Sequence, residues 1–275
     1  MKALLLVAVL LVSGCTASGT GVVIEDFVAD FSTVFVKEPV GFQVQVRNTG
    51  SQDSPGGEVR LLGLDDWSGQ AQPCTVPGLL AGPPGEVFTC PTATLTAPDV
   101  PQGITVTYRP VARLAYSYTS TLLSQITVGT QDELRRIEQG GGTLPLDASA
   151  SSASPILVTA KTQGPLRVFS GSVTFPLEIT VTNQGGGVAC KGDFTDCLDH
   201  QKWNALSFTT QIAGQKVDDC SRSLTITQGS NTIVCQATLT DIPSTGVLQK
   251  TISIQSTYGY FVDREIPVTV AWRPA

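Results

Sequence analysis

The chain has 275 residues, 41% of them apolar but only 15% charged, against about 25% charged in an average soluble protein. With 27 Gly and 17 Pro, this balance excludes a disordered chain, a coiled coil and a helix-rich enzyme, and asks for many short strands between turns. A net charge of −6 leaves no basic stripe to meet phosphates, so no nucleic-acid partner is expected.

The N-terminus reads MKALLLVAVLLVSGC, with Lys2 before an apolar run from Ala3 to Val12. As a helix that run spans about 15 Å, half of a hydrocarbon core of about 30 Å. A cleaved export signal is therefore expected rather than a spanning anchor. Val12-Ser13-Gly14-Cys15 resembles the lipobox of prokaryotic lipoproteins, bacterial or archaeal, in which the cysteine is lipidated and the chain is cut just before it. The resemblance implies a signal peptide over 1–14, lipidation of Cys15, a tether over 15–21, and attachment to the cell membrane through lipid, on its extracellular face or in the periplasm. An ordinary secretory signal is the alternative. Seven cysteines are present, Cys15, Cys74, Cys90, Cys190, Cys197, Cys220 and Cys235. An odd number leaves one thiol over in an exported chain, and lipidation of Cys15 leaves six to pair. Neither a CxxC pair nor a second histidine is available for a zinc framework, and no cofactor is expected.

Gly41–Gly50 (GFQVQVRNTG) carries Phe42, Val44 and Val46 at period two and closes on Asn48-Thr49-Gly50, the pattern of a half-buried strand ending in a turn. Cys74 and Cys90 follow, 16 apart, then Cys90–Thr96 (CPTATLT), Pro101, Tyr116-Ser117-Tyr118 and Gln125–Val128. The same order returns later in the chain. Phe175–Gly185 (FPLEITVTNQG) carries Leu177, Ile179 and Val181; Cys220 and Cys235 are 15 apart; Cys235–Thr240 (CQATLT), Pro243, Tyr258-Gly259-Tyr260 and Ile266–Val270 follow. Cys74–Cys90 and Cys220–Cys235 are therefore expected as disulfides, with Cys190–Cys197 as a third. Two domains are expected, 22–129 and 155–275. Between them Thr130-Gln131-Asp132-Glu133 reads as a capping box that opens a short helix stopped at Gly140–Gly142, and 143–154 (TLPLDASASSAS) reads as a Ser/Ala-rich connector. Segment 130–154 is thus expected as helix plus flexible linker.

The Asn-Thr-Gly strand end, the Leu79–Gly82 turn before Glu86-Val87-Phe88, and the Tyr-bearing strand resemble prokaryotic CARDB-type immunoglobulin-like modules. The resemblance implies an all-β chain of two tandem antiparallel sandwiches.

Segment 190–203 has no counterpart in the first copy, and unrepeated loops are where specific function is expected. Its Asp193, Asp196 and Asp199 are hard oxygen donors and calcium candidates, although a spacing of three is not that of an EF-hand loop. A solvated acidic loop is the plain alternative. His200 is the sole histidine; without a Gly-x-Ser-x-Gly elbow, catalysis by it is not expected. Trp203, His200, Tyr116, Tyr118, Tyr258 and Tyr260 form a candidate interaction surface, with inward packing as the alternative for the tyrosines. Trp67 and Trp203 lie 19 and 20 residues after Asn48 and Asn183, a repeated placement that implies equivalent structural roles. The expected function is a non-enzymatic, lipid-anchored envelope protein whose two modules serve adhesion, assembly or contact with other surface proteins. The alternatives are a filament or surface-layer subunit assembled by strand pairing, and a carbohydrate- or calcium-binding module centred on 190–203.

Overall fold

Period-two burial builds the chain. In the computed structural model, which describes residues 21–145, 147–169, 171–227, 229–240, 242 and 246–272, Phe42, Val44 and Val46 are buried. So are Leu177, Ile179 and Val181, while Gln43 and Glu178 between such positions face water. The strands of the first copy are β1 (Val22–Ala29), β2 (Thr33–Phe35), β3 (Pro39–Asn48), β4 (Gly57–Leu62), β5 (Cys74–Val76), β6 (Val87–Thr89), β7 (Ala93–Thr96), β8 (Thr105–Tyr108) and β9 (Val111–Thr130). Helix α1 (Gln131–Gln139) and β10 (Ser149–Ser151) follow. The second copy supplies β11 (Ile156–Lys161), β12 (Leu166–Val168), β13 (Val173–Asn183), β14 (Val188–Cys190), β15 (Ala205–Ser207), β16 (Thr209–Ile212) and β17 (Gln215–Lys216). It ends with β18 (Ser223–Thr225), β19 (Ser230–Leu239), β20 (Val247–Glu265) and β21 (Val268–Ala271). The fold is an all-β sandwich, as expected. Sheets β1-β3-β6, with β7 also on β3, and β11-β13-β19 pack against a large sheet ordered β17-β16-β20-β9-β4-β5.

The centre of that large sheet joins the two copies. Strands β9 and β20 run antiparallel from Val111 opposite Glu265 to Gly129 opposite Val247. Along these strands a residue of the first copy corresponds to the residue 142 positions later, as Tyr116 does to Tyr258 and Val128 to Val270. Ser117 lies opposite Gly259, its own counterpart. The ladder therefore has a local twofold axis through that pair.

The copies also exchange their ends. Strand β21 pairs with β2 and β8 of the first copy, while the matching end of β9 pairs with β12 of the second, Val128 opposite Leu166. The cause is local: every second position of β9 from Ala112 to Val128 is buried, including Leu114, Tyr116, Tyr118, Ser120, Ser124 and Ile126. No Pro or Asn-Gly turn lies between Val111 and Val128 to fold it back onto its own copy. Side chains from both halves share one continuous core, including Leu114, Tyr116, Ile126, Ile254 and Tyr258.

Helix α1 forms where expected, with Thr130 Oγ1 accepting from Glu133 N at 3.4 Å. The reciprocal half of the capping box is replaced, because the Glu133 carboxylate takes Arg136 instead (2.6 and 2.9 Å). Leu134 is buried beside Gly129. The connector differs from expectation: instead of a flexible linker, β10 pairs along β9, Ser149 opposite Ser124. Asp147 Oδ1 accepts from Thr127 N and Oγ1 (3.1 and 3.2 Å), and Ser152 N donates to Thr121 O at 2.8 Å. Beyond the reach of β4, which ends its pairing at Tyr116, this edge of β9 would otherwise leave backbone groups unpaired, and the connector satisfies them. The two halves are thus tied along the sheet.

Candidate functional site

Alternation in β9 and β20 sends side chains at the axis to opposite faces of the ladder. On the inner face stand Tyr116, Tyr118, Tyr258 and Tyr260, each at most 1% exposed. Their expected place on an interaction surface is therefore corrected: both sandwiches close over them. Ring centroids lie 5.8 Å apart for Tyr116–Tyr260, 6.1 Å for Tyr116–Tyr118 and 6.3 Å for Tyr258–Tyr260. Tyr260 Oη donates to Asn183 Oδ1 (2.7 Å) and accepts from Gly187 N (2.8 Å). Tyr118 Oη accepts from Gln52 N (3.1 Å) and donates to Ala153 O (3.3 Å). Tyr258 Oη lies 2.7 Å from Ser120 Oγ and accepts from Ile156 N at 3.3 Å.

Tyr116 is the exception. Its Oη faces the backbone of Val22 without reaching hydrogen-bond geometry, and Val262 stands where the counterpart of Ser120 would be. Burial raises all four hydroxyls above the usual tyrosine range, Tyr260 to about 12.

These rings explain the repeated Asn-x-Gly motif. Asn48 Oδ1 accepts from Gly50 N (3.0 Å) and Asn183 Oδ1 from Gly185 N (3.2 Å), closing each turn. A Cβ on Gly50 would overlap Tyr118 Oη, and one on Gly185 would sit 2.6 Å from Tyr260 Oη. Glycine is needed there for close approach.

On the outer face, the 190–203 insertion sits over the axis. Phe194 N donates to Ser117 Oγ at 3.1 Å, and a Cβ on Gly259 would overlap the Asp193 carbonyl oxygen and come within 2.9 Å of Cys197 Sγ. The small residue between the two tyrosines of each copy is what lets the insertion dock. Disulfide Cys190–Cys197 closes the loop (Cα–Cα 5.2 Å), and Trp203 Nε1 donates to Cys197 O at 2.8 Å. The Trp203 ring centroid lies 4.0 Å from that of His200 and 5.0 Å from that of Phe261. Arg113 covers Phe261 at 4.2 Å and grips Asp263, its cross-strand neighbour, with two bonds of 2.8 and 2.7 Å. That pairing raises the Arg113 pKa.

The three aspartates are spent on the backbone. Asp193 Oδ1 caps the 3-10 helix Phe194–Leu198 by accepting from Thr195 N (2.8 Å), and Asp199 Oδ1 caps His200–Lys202 by accepting from Gln201 N (3.0 Å). Asp196 accepts from Asp193 N (3.1 Å) and pairs with Lys202, which holds its carboxyl below the usual range. Among the described residues no group of three or more His, Cys, Asp or Glu side chains converges on a metal position. The candidate calcium ligands gather near the Lys202 ammonium rather than on a metal position. A cleft beside the loop, lined by Glu58, Arg60, Arg113, Ala115, Phe194 and Leu198 among others, encloses about 40 Å³, room for about three waters and not for a sugar ring.

Trp67 and Trp203 are not equivalent. Trp67 is buried against Phe42 and Tyr108 at 5.5 and 5.8 Å, whereas Trp203 stays half-buried over the outer face. The insertion has no partner in the first copy, so counting from Asn48 and Asn183 matched unrelated positions.

Cys74–Cys90 and Cys220–Cys235 complete the disulfides (Cα–Cα 5.9 and 5.3 Å). Cys15 lies outside the described residues. Several sheet edges are blunted. Strands β5 and β17 have three and two residues. Arg264 donates to Ile24 O and Glu25 O of β1 (3.1 and 2.5 Å), and Asp219 Oδ2 accepts from Gln236 N of β19 (2.7 Å).

Arg113, Ser117, Gly259, Phe261 and Asp263 were not singled out by sequence reasoning. The readable signal was the shared Tyr-small-Tyr triplet, 116–118 and 258–260. No protein-family model matches the chain, and no curated protein matches it either. Fold and site together define an all-β, disulfide-tied double module.

Proposed function

We propose that this is a non-enzymatic, lipid-anchored envelope protein of a bacterium or archaeon, presenting a fused pair of CARDB-like, immunoglobulin-like modules to other surface proteins. The observation that carries the reading is the continuous β9–β20 ladder with its exchanged ends, which supports a stiff display unit more than a hinged one. Three disulfides favour a non-reducing, extracellular setting. The lipobox-like Cys15 supplies the attachment. Blunted edges count against assembly by strand pairing, and the capped aspartates and the small cleft count against a calcium or carbohydrate module.

The test is the intact mass of the full chain purified from membranes. The reading expects a diacylglycerol-sized addition on a chain that starts at Cys15 and has no free thiol. A soluble product with an unmodified N-terminus would overturn it.

A further inference from the structure

We infer that the anchored protein lies side-on, with both halves at equal height, the pole around Gly21 resting on the lipid headgroups and the 190–203 insertion facing away. The inference rests on the lipid-anchor reading and adds the geometry.

Two positions at the axis carry it. The described chain begins at Gly21, where a Cβ would lie 2.9 Å from Tyr116 Oη and 2.9 Å from Pro155 Cδ. Gly21 therefore lies at the tips of the inward tyrosines, within one residue of the axis along the ladder. The insertion contacts Ser117 and Gly259, whose side-chain positions point through the opposite face of the same ladder. Gly21 and the insertion mark the two poles of the local twofold axis.

Reach then decides the posture. Pairing continues past the nineteen-pair ladder in the same register, β21 lying on β8 from Val268 opposite Tyr108 to Ala271 opposite Thr105, so the axis pair stands midway, with either end roughly 40 Å away at about 3.3 Å per residue. Standing on end, the molecule would hold Gly21 roughly 40 Å above the headgroups. Six residues from Cys15 to Gly21 span at most about 21 Å fully extended. The upright posture is out of reach, and the two halves lie side by side. An inverted posture would force the tether to wrap around the edge of the sheet. The surface at the Gly21 pole suits contact with headgroups without insertion: Thr49, Ser51, Gln52, Ala153 and Gln184 are small or polar and uncharged. At the far pole Leu198 is 53% exposed beside His200 and Trp203, which places that face toward an approaching protein.

The experiment uses full-length protein reconstituted in phosphatidylcholine vesicles that carry an energy-transfer acceptor on the headgroups. A donor dye is attached in turn to Gln52→Cys, Leu198→Cys, Arg109→Cys and Thr251→Cys, the last two exposed positions exchanged by the local twofold axis, and each sample is weighed intact. Side-on lodging gives the strongest transfer from position 52, the weakest from 198, and equal transfer from 109 and 251 on the two sides of the axis. Lipidated protein in which 109 and 251 differ severalfold, or in which 198 transfers as strongly as 52, overturns the orientation while leaving the anchor intact. Samples whose mass lacks the lipid overturn the anchor itself, and the orientation with it.

Discussion

Tyr116 and Tyr258 occupy corresponding places in the two copies, are equally buried and differ in one respect: the Tyr258 hydroxyl is satisfied and that of Tyr116 is not. Tyr258→Phe strands the Ile156 N–H in a core position and takes one of the three contacts of Ser120 Oγ, which also lies 2.7 Å from Ile156 O and 2.9 Å from Ser154 Oγ. Leaving a buried donor unpaired costs about 1–3 kcal/mol. Because Ser120 keeps its other partners, the lower half of that range, about 1–2 kcal/mol, is expected. Tyr116→Phe removes a hydroxyl that gains nothing in the folded state and is hydrated in the unfolded one. Its burial cost disappears, so stability should be unchanged or higher by up to about 1 kcal/mol. Denaturant unfolding with the disulfides intact measures both, read as a shift in midpoint at constant slope. Equal destabilisation by the two substitutions would refute the assignment of an orphaned hydroxyl and the symmetry argument behind it.

Gly259→Ala should push the insertion off the axis, because the new methyl meets the Asp193 carbonyl; a cost of about 1–3 kcal/mol is expected for overpacking. A red shift in Trp203 emission should accompany it as that ring leaves Phe261, and an unchanged spectrum with unchanged stability would contradict the docking geometry. The second outcome concerns pH. The buried tyrosines hold their protons more tightly folded than unfolded, so their contribution is complete below the ordinary tyrosine pKa of about 10. It is lost as pH rises through the folded values, about 12 for Tyr260 and likewise pushed up by burial for Tyr116 and Tyr258. With Tyr108→Phe as background, because that fifth tyrosine is only half-buried, tyrosinate absorbance should therefore be delayed and should appear together with loss of folded structure; smooth titration near pH 10 in folded protein would contradict the burial.

How much was legible follows from which interactions are local. The period-two runs at 42–46 and 177–181, the cap at Thr130 and the cysteine spacings are short-range signals, and the structure places strands, helix and disulfides accordingly. The tyrosines were ambiguous because alternation says that Tyr116 and Tyr118 share a face but not which face is covered. The exchange of β21 and the end of β9 was invisible for the same reason: each segment is a well-formed strand, and nothing within it names the copy whose edge it completes. The connector 143–154 read as free because its small polar residues promise no core of their own, yet it gains order from backbone groups that β9 leaves open. Asp193, Asp196 and Asp199 looked like ligands in sequence, and their capping roles depend on turns that only the docked loop creates.

The central claim is that the two copies form one body through the β9–β20 ladder and its exchanged ends, and cutting the connector tests it most directly. A protease site placed at Gly140–Gly142, outside β9 and β10, would divide the chain between the copies without touching a ladder residue. The account predicts that, under native conditions, the two fragments elute together at the size of the uncut protein and unfold in one transition. Separation into two independently folded halves would contradict it.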